Sequence, residues 1–134
     1  MSIRVLQPEG WPRPRGYANG VSATGRMIFV AGQIGWDSEG RIAEGGIVPQ
    51  SRKALENILT VLALDGARAG HVVRLTWYVT DKAAYLAAGL ALGVAYRQVM
   101  GKHFPAMSAV EVVSLMEPGA LVEIEATAVV PESD

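Results

Sequence analysis

The run "LVEIEATAVV", Leu121 to Val130, alternates with a period of two. Val122, Ile124, Ala126 and Ala128 point one way, and Glu123, Glu125, Thr127 and Val129 the other. A strand of that pattern needs a core on one side and tolerates water on the other. The chain must therefore supply neighbouring strands and a cover for one face of the sheet they form.

The strands are legible. "RMIFVAGQIG", Arg26 to Gly35, is β-branched and aromatic, with little polarity until Gln33. It reads as a strand covered on both faces or nearly so. "VVRLTWYVT", Val72 to Thr80, is a second long strand, and Pro105 to Leu115 is a third. A short strand over Ile3 to Leu6 precedes an irregular stretch holding Pro8, Pro12 and Pro14. Asn19 to Ala23 can pair with the Arg26 strand through a turn at Thr24-Gly25.

The cover comes from two helices. Ala54, Leu55, Ile58, Leu59, Val61 and Leu62 follow helical spacing within Gln50 to Leu64. Pro49 lies at the start of that helix and Gly66 stops it. Asp81 can cap a second helix over Lys82 to Met100. Glu117-Pro118-Gly119 turns the chain, so the last two strands are expected to form a hairpin. Strand–helix–strand–helix–strand implies right-handed crossovers with both helices on one sheet face. The expectation is an α+β two-layer sandwich, a six-stranded mixed sheet backed by two helices, in one domain spanning residues 1–134. The uncovered sheet face is still rather apolar, which points to a homo-oligomer.

Composition excludes several functions. The 134 residues include no cysteine, so disulfides and thiolate ligands are out. His71 and His103 have no neighbours at ligand spacing, so no metal site is expected. Twelve Lys and Arg against 13 Asp and Glu leave a net charge of −1, and the basic residues are scattered. Nucleic-acid binding needs a concentrated basic face, so none is expected. "AAYLAAGLALGVAY", Ala83 to Tyr96, is uncharged but falls short of the roughly 20 residues that span a bilayer. Its Gly89 and Gly93 suggest a buried helix closely approached by a neighbour. With no apolar leader in "MSIRVLQPEGWPRPRG", a soluble cytoplasmic protein is expected.

Few residues suggest chemistry by themselves. The expected hairpin would bring Glu111 near Glu123 or Glu125, either as a solvated acidic face or as a general base at a subunit cleft. Gly32-Gln33 could offer backbone groups to a ligand or simply mark a bulge. Tyr17, in "RGYANG", is either a ring that stacks on ligand or a loop anchor. Trp36 and Trp77 read as core or interface.

Together, "GYANGV", "MIFVAGQIGWD", Gln50 followed by "ALEN", "VVRLTWYVTD", "FPAMSAVEV" and "VEIEATAV" resemble the RidA (YjgF) family of small trimeric proteins. The resemblance runs from about Gly16 to Val130 and rests on the order and spacing of these pieces. It implies a chorismate mutase-like fold and a homotrimer with a central barrel and three intersubunit clefts. It also implies hydrolysis of 2-imino acids, or their enamine tautomers, to 2-oxo acids and ammonia without metal or cofactor. Glu123 matches the carboxylate that holds and activates the attacking water. Tyr17 matches the aromatic residue lining the cleft from the neighbouring subunit. Gly32 matches the backbone position facing the substrate nitrogen, with Ala31 in place of a frequent serine. Ala109 matches a frequent cysteine whose backbone meets ligand.

Met107 departs from the pattern. Deaminating members carry arginine there, whose guanidinium grips the substrate carboxylate through two parallel hydrogen bonds. Methionine forfeits about 1.5–3 kcal/mol for each such bond. The chain thus resembles an arginine-less branch, with weak or absent activity expected on 2-imino acids. Two functions follow: an imine or enamine hydrolase for a small, less anionic substrate, or a trimer that binds a small metabolite without turnover. Ribonuclease activity, attached to some members of the family, is disfavoured by the charge balance.

Overall fold

The computed structural model describes residues 3–132. Strands β1 (Ile3–Leu6) and β2 (Gly20–Ala23) pair with each other as an antiparallel ribbon. Strands β3 (Arg26–Gln33), β4 (Val72–Val79), β5 (Ala106–Glu111) and β6 (Val122–Val130) form a four-stranded mixed sheet in the order β3-β6-β4-β5. β6 runs antiparallel to both of its neighbours, and β5 lies parallel to β4.

The alternation of β6 has the predicted consequence. Val122, Ile124, Ala126 and Ala128 are buried, together with Leu75, Trp77 and Val79 of β4. Helix α1 (Ile47–Ala63) lies over this face and buries Ala54, Leu55, Ile58 and Leu62. α2 (Lys82–Ala87) and α3 (Gly89–Met100) complete the layer, and Tyr96 and Met100 reach the same core. Burying one such aliphatic side chain is worth about 1.5–3 kcal/mol, so this seam dominates the favourable energy.

Polar ties fix α1 in place. Buried Gln50 donates from Nε2 to the Gly119 carbonyl (3.1 Å) and accepts from the Leu121 N–H (2.8 Å). Asn57 donates to the carbonyls of Ile34 and Trp36. Gly35 allows this approach, because a Cβ there would stand 2.6 Å from the Gln50 Cα.

Several expectations are corrected. The sheet has four strands plus a separate ribbon, not six in one sheet. β2 pairs with β1 rather than folding back on β3; after it, Gly25, at φ +150°, runs so close to β6 that a Cβ there would stand 2.3 Å from the Val130 carbonyl oxygen. β5 and β6 are not a hairpin. β5 returns through a helical crossover and so lies parallel beside β4, while β6 inserts between β3 and β4. The second helix breaks at Ala88 (φ −88°, ψ 8°) into α2 and α3. The Gly89–Gly93 stretch is correspondingly not a tight helix contact: a Cβ at Gly89 would meet nothing within 4 Å.

The helix-free face is also more polar than expected. It carries Arg74, Thr76 and Tyr78 from β4 beside Glu123, Glu125 and Thr127 from β6. Met27 and Phe29 of β3 stand on it exposed, Phe29 by 71%.

Candidate functional site

The predicted site residues gather into two groups. The first is built by a bulge in β3. Val30 pairs with Ala126 and Gln33 with Ile124, so two β3 residues, Ala31 and Gly32, stand opposite Glu125 alone. The Glu123 side chain lies over the bulge. A Cβ on Gly32 would stand 2.1 Å from Glu123 Oε2, so only glycine admits the carboxylate here.

The two carboxylates of β6 have different partners. Glu125 accepts a 2.6 Å hydrogen bond from the Tyr78 hydroxyl. That bond, followed by desolvation and the charges of Glu125 and Glu123, raises the Tyr78 pKa. Tyr78 thus stays protonated and holds Glu125. Among the described residues, no group hydrogen-bonds to the Glu123 carboxylate, which remains available to a ligand or water.

The second group lines a cavity of about 460 Å³ between β5 and the α2–α3 layer. Met107 and Ala109 stand beside Leu75 and Trp77 in the parallel register, so both face the helices. Met107 is half-buried and packs against the core. Tyr17 reaches the same cavity because the loop before β2 is pinned beside β5: the Ala18 N–H donates to the Pro105 carbonyl at 2.9 Å. Trp77, Tyr85, Leu92, Tyr96 and Phe104 supply most of the remaining wall. Trp77 and Tyr85 meet edge to face at 6.4 Å, and Tyr96 stacks on Phe104 at 5.5 Å. Burial raises the pKa of both Tyr85 and Tyr96, which keeps these hydroxyls neutral.

The structure separates other predicted neighbours. Glu111 does not approach Glu123 or Glu125. Its position beside Val79 turns it to the helix side, where it accepts the Lys82 N–H at 2.7 Å. Asp81 caps the same helix, accepting from the Ala84 N–H as expected. Tyr17 shares a cavity with Met107 and Ala109 within one chain, whereas the resemblance drew it from a neighbour. Trp77 belongs to the core, and Trp36 is 38% exposed. Sequence reading overlooked Tyr78, Tyr85, Arg15 and Arg97. Tyr78 and Glu125 could be paired only once the β4–β6 register was known. Arg97 did carry a signal, as the charge that ends the apolar run.

Glu123 and Met107 lie on opposite faces of the sheet. Glu123 is level with Tyr78 of the helix-free face, and Met107 with Leu75 of the core face. Within one chain the two groups therefore cannot touch the same small molecule. Among the described residues, no cluster of His, Asp or Glu is arranged to hold a metal ion, and no helix is long and apolar enough to cross a membrane.

A helix-backed α+β sheet with a carboxylate over a glycine bulge and an aromatic cavity behind its edge strand defines a particular kind of small protein. The family described as endoribonuclease L-PSP matches residues 12–130, and the chain belongs to this family, the RidA (YjgF) family. A RutC family protein of Pyrococcus abyssi is 36% identical over 129 residues, covering 96% of this chain and 98% of that protein. A 2-iminobutanoate/2-iminopropanoate deaminase of Capra hircus is 35% identical over 105 residues, 78% of this chain and 73% of that enzyme. Among solved structures, the Rid-family protein YyfB of Yersinia pestis superposes with a TM-score of 0.85 at 34% identity, over 97% of this chain and 100% of that one.

Proposed function

We propose that the protein is a cytoplasmic imine or enamine hydrolase whose clefts form between copies in a homotrimer. One copy contributes Glu123 and the Gly32 bulge, and another contributes Tyr17, Met107 and Ala109. The observation that carries this reading is the Glu123 carboxylate, with no hydrogen-bond partner among the described residues, held against Gly32. The separation of the two groups onto opposite sheet faces supports a composite cleft, and the exposed Phe29 and Met27 give the helix-free face an apolar anchor for a partner copy. Deaminase relatives support the reaction class.

In this reaction Glu123 accepts a proton as water adds to the imine carbon, forming a C–O bond while the C=N π electrons move to nitrogen. It returns a proton to that nitrogen. The hydroxyl of the resulting carbinolamine then gives up its proton, which Glu123 relays to the amine, so that the C–N bond breaks, the carbonyl forms and ammonia leaves. The bulged backbone at Ala31 and Gly32 faces the substrate nitrogen. Neither a metal nor a cofactor is called for. Met107 offers an apolar wall where 2-imino acids need a cation, so the preferred substrate is less anionic around its reacting carbon.

The test is ammonia release from a panel of neutral and 2-carboxylated imines. Neutral imines should be turned over faster than 2-iminopropanoate. Glu123→Gln should lower the rate by about 10²–10⁴-fold, the usual worth of a general acid–base group. Saturable binding with no release across the panel would instead support the non-catalytic metabolite-binding trimer, which the apolar residue at Met107 favours.

A further inference from the structure

The cavity beside Met107 has not lost its positive charge; the charge sits elsewhere on the wall. Arg15 and Arg97 both line it, and among the described residues of the same chain no Asp or Glu does. Neither guanidinium is in an ion pair among the described residues, where the ion-paired arginines are Arg26 and Arg41. Arg97 folds along α3 over Gly93, since a Cβ at Gly93 would lie 3.4 Å from Arg97 Nη1. Gly89 and Gly93 leave the helix face open beneath it, with volume a side chain would otherwise fill. The rest of the wall is Trp77, Tyr85, Leu92, Phe104 and Met107, a surface that fits a ring or a branched aliphatic body.

We propose that this cavity binds a molecule with a ring-sized apolar body and a remote anionic group, the anion held by Arg15 and Arg97 and the body packed against Met107. This rests on the hydrolase reading only in making that molecule the substrate; the binding preference stands without turnover. It sharpens the substrate class: acidic at the far end rather than at the carbon beside the imine. Unpaired guanidiniums suit carboxylate, sulfonate or phosphate oxygens, with geometry a lysine does not reproduce. Because both arginines are solvent-exposed, screening keeps their effect moderate.

The experiment is fluorescence titration of the oligomer as purified with two probes of matched apolar body. These are 8-anilinonaphthalene-1-sulfonate and the uncharged N-phenyl-1-naphthylamine. The sulfonate should bind about tenfold more tightly, an advantage that shrinks as salt rises. Arg97→Gln and Arg15→Gln should each remove most of that advantage and leave the neutral probe unchanged, with Arg97→Lys intermediate. Ala109→Trp, which fills the cavity, should weaken both probes. Equal wild-type affinity for the two probes would overturn the proposal, as would parallel losses of both probes in the arginine variants. Retained probe discrimination without ammonia release would sink the hydrolase and keep the anion site, and the opposite pattern would do the reverse.

Discussion

At the scale of single residues, Glu123 and Gly32 form one unit. The carboxylate occupies the space a Cβ would need, so the glycine is required by a side chain rather than by a positive φ. Gly32→Ala should fold, because the obstructing atoms belong to the free end of a flexible glutamate. The cost falls on position: displacing a catalytic group by about an ångström costs on the order of a hundredfold in rate. Ammonia release should drop by about that factor, with the thermal midpoint within about 4 °C of wild type. An unaltered rate would separate Glu123 from the chemistry. Parity along "VEIEATAV" was enough to put Glu123 and Glu125 on one face. It could not tell which of them Tyr78 occupies, because that depends on a register set by β4, more than forty residues earlier in the chain.

Among the elements, the helices and long strands were legible because each carries its own period over many residues. The pairings were not, since an apolar strand does not encode its neighbour. β5 illustrates this: nearness in sequence suggested a hairpin with β6, while the crossover through α2 and α3 delivers it parallel to β4. Glu111 changes role with it, from an expected neighbour of Glu123 or Glu125 to a cap on α2. The polar tie at Gln50 joins α1 to the turn that feeds β6, so it holds the element bearing Glu123. Gln50→Leu keeps the volume and orphans the Gly119 carbonyl and the Leu121 N–H. It should lower stability by about 1–3 kcal/mol in urea unfolding at matched protein concentration. A loss below about 0.5 kcal/mol would show that water replaces both bonds at little cost.

For the whole molecule, the sheet is a partition. It places Glu123 on one face and the Met107 cavity on the other, so the proposed chemistry exists only where two copies meet. The sequence suggested the need for a partner through a sheet with too few helices. It could not reveal the partition, because the face of Met107 follows from the β4–β5 register. The most direct measurement mixes two inactive variants. Glu123→Gln and Ala109→Trp subunits, each devoid of ammonia release from the best neutral imine, are dissociated and reassembled at equal amounts. Light scattering should find a mass near three times the 14.2 kDa chain before and after mixing. By random assembly about a quarter of the clefts then combine an intact Glu123 with an intact cavity, so about a quarter of wild-type ammonia release should return. A mixed oligomer as inactive as its parents would contradict the composite cleft.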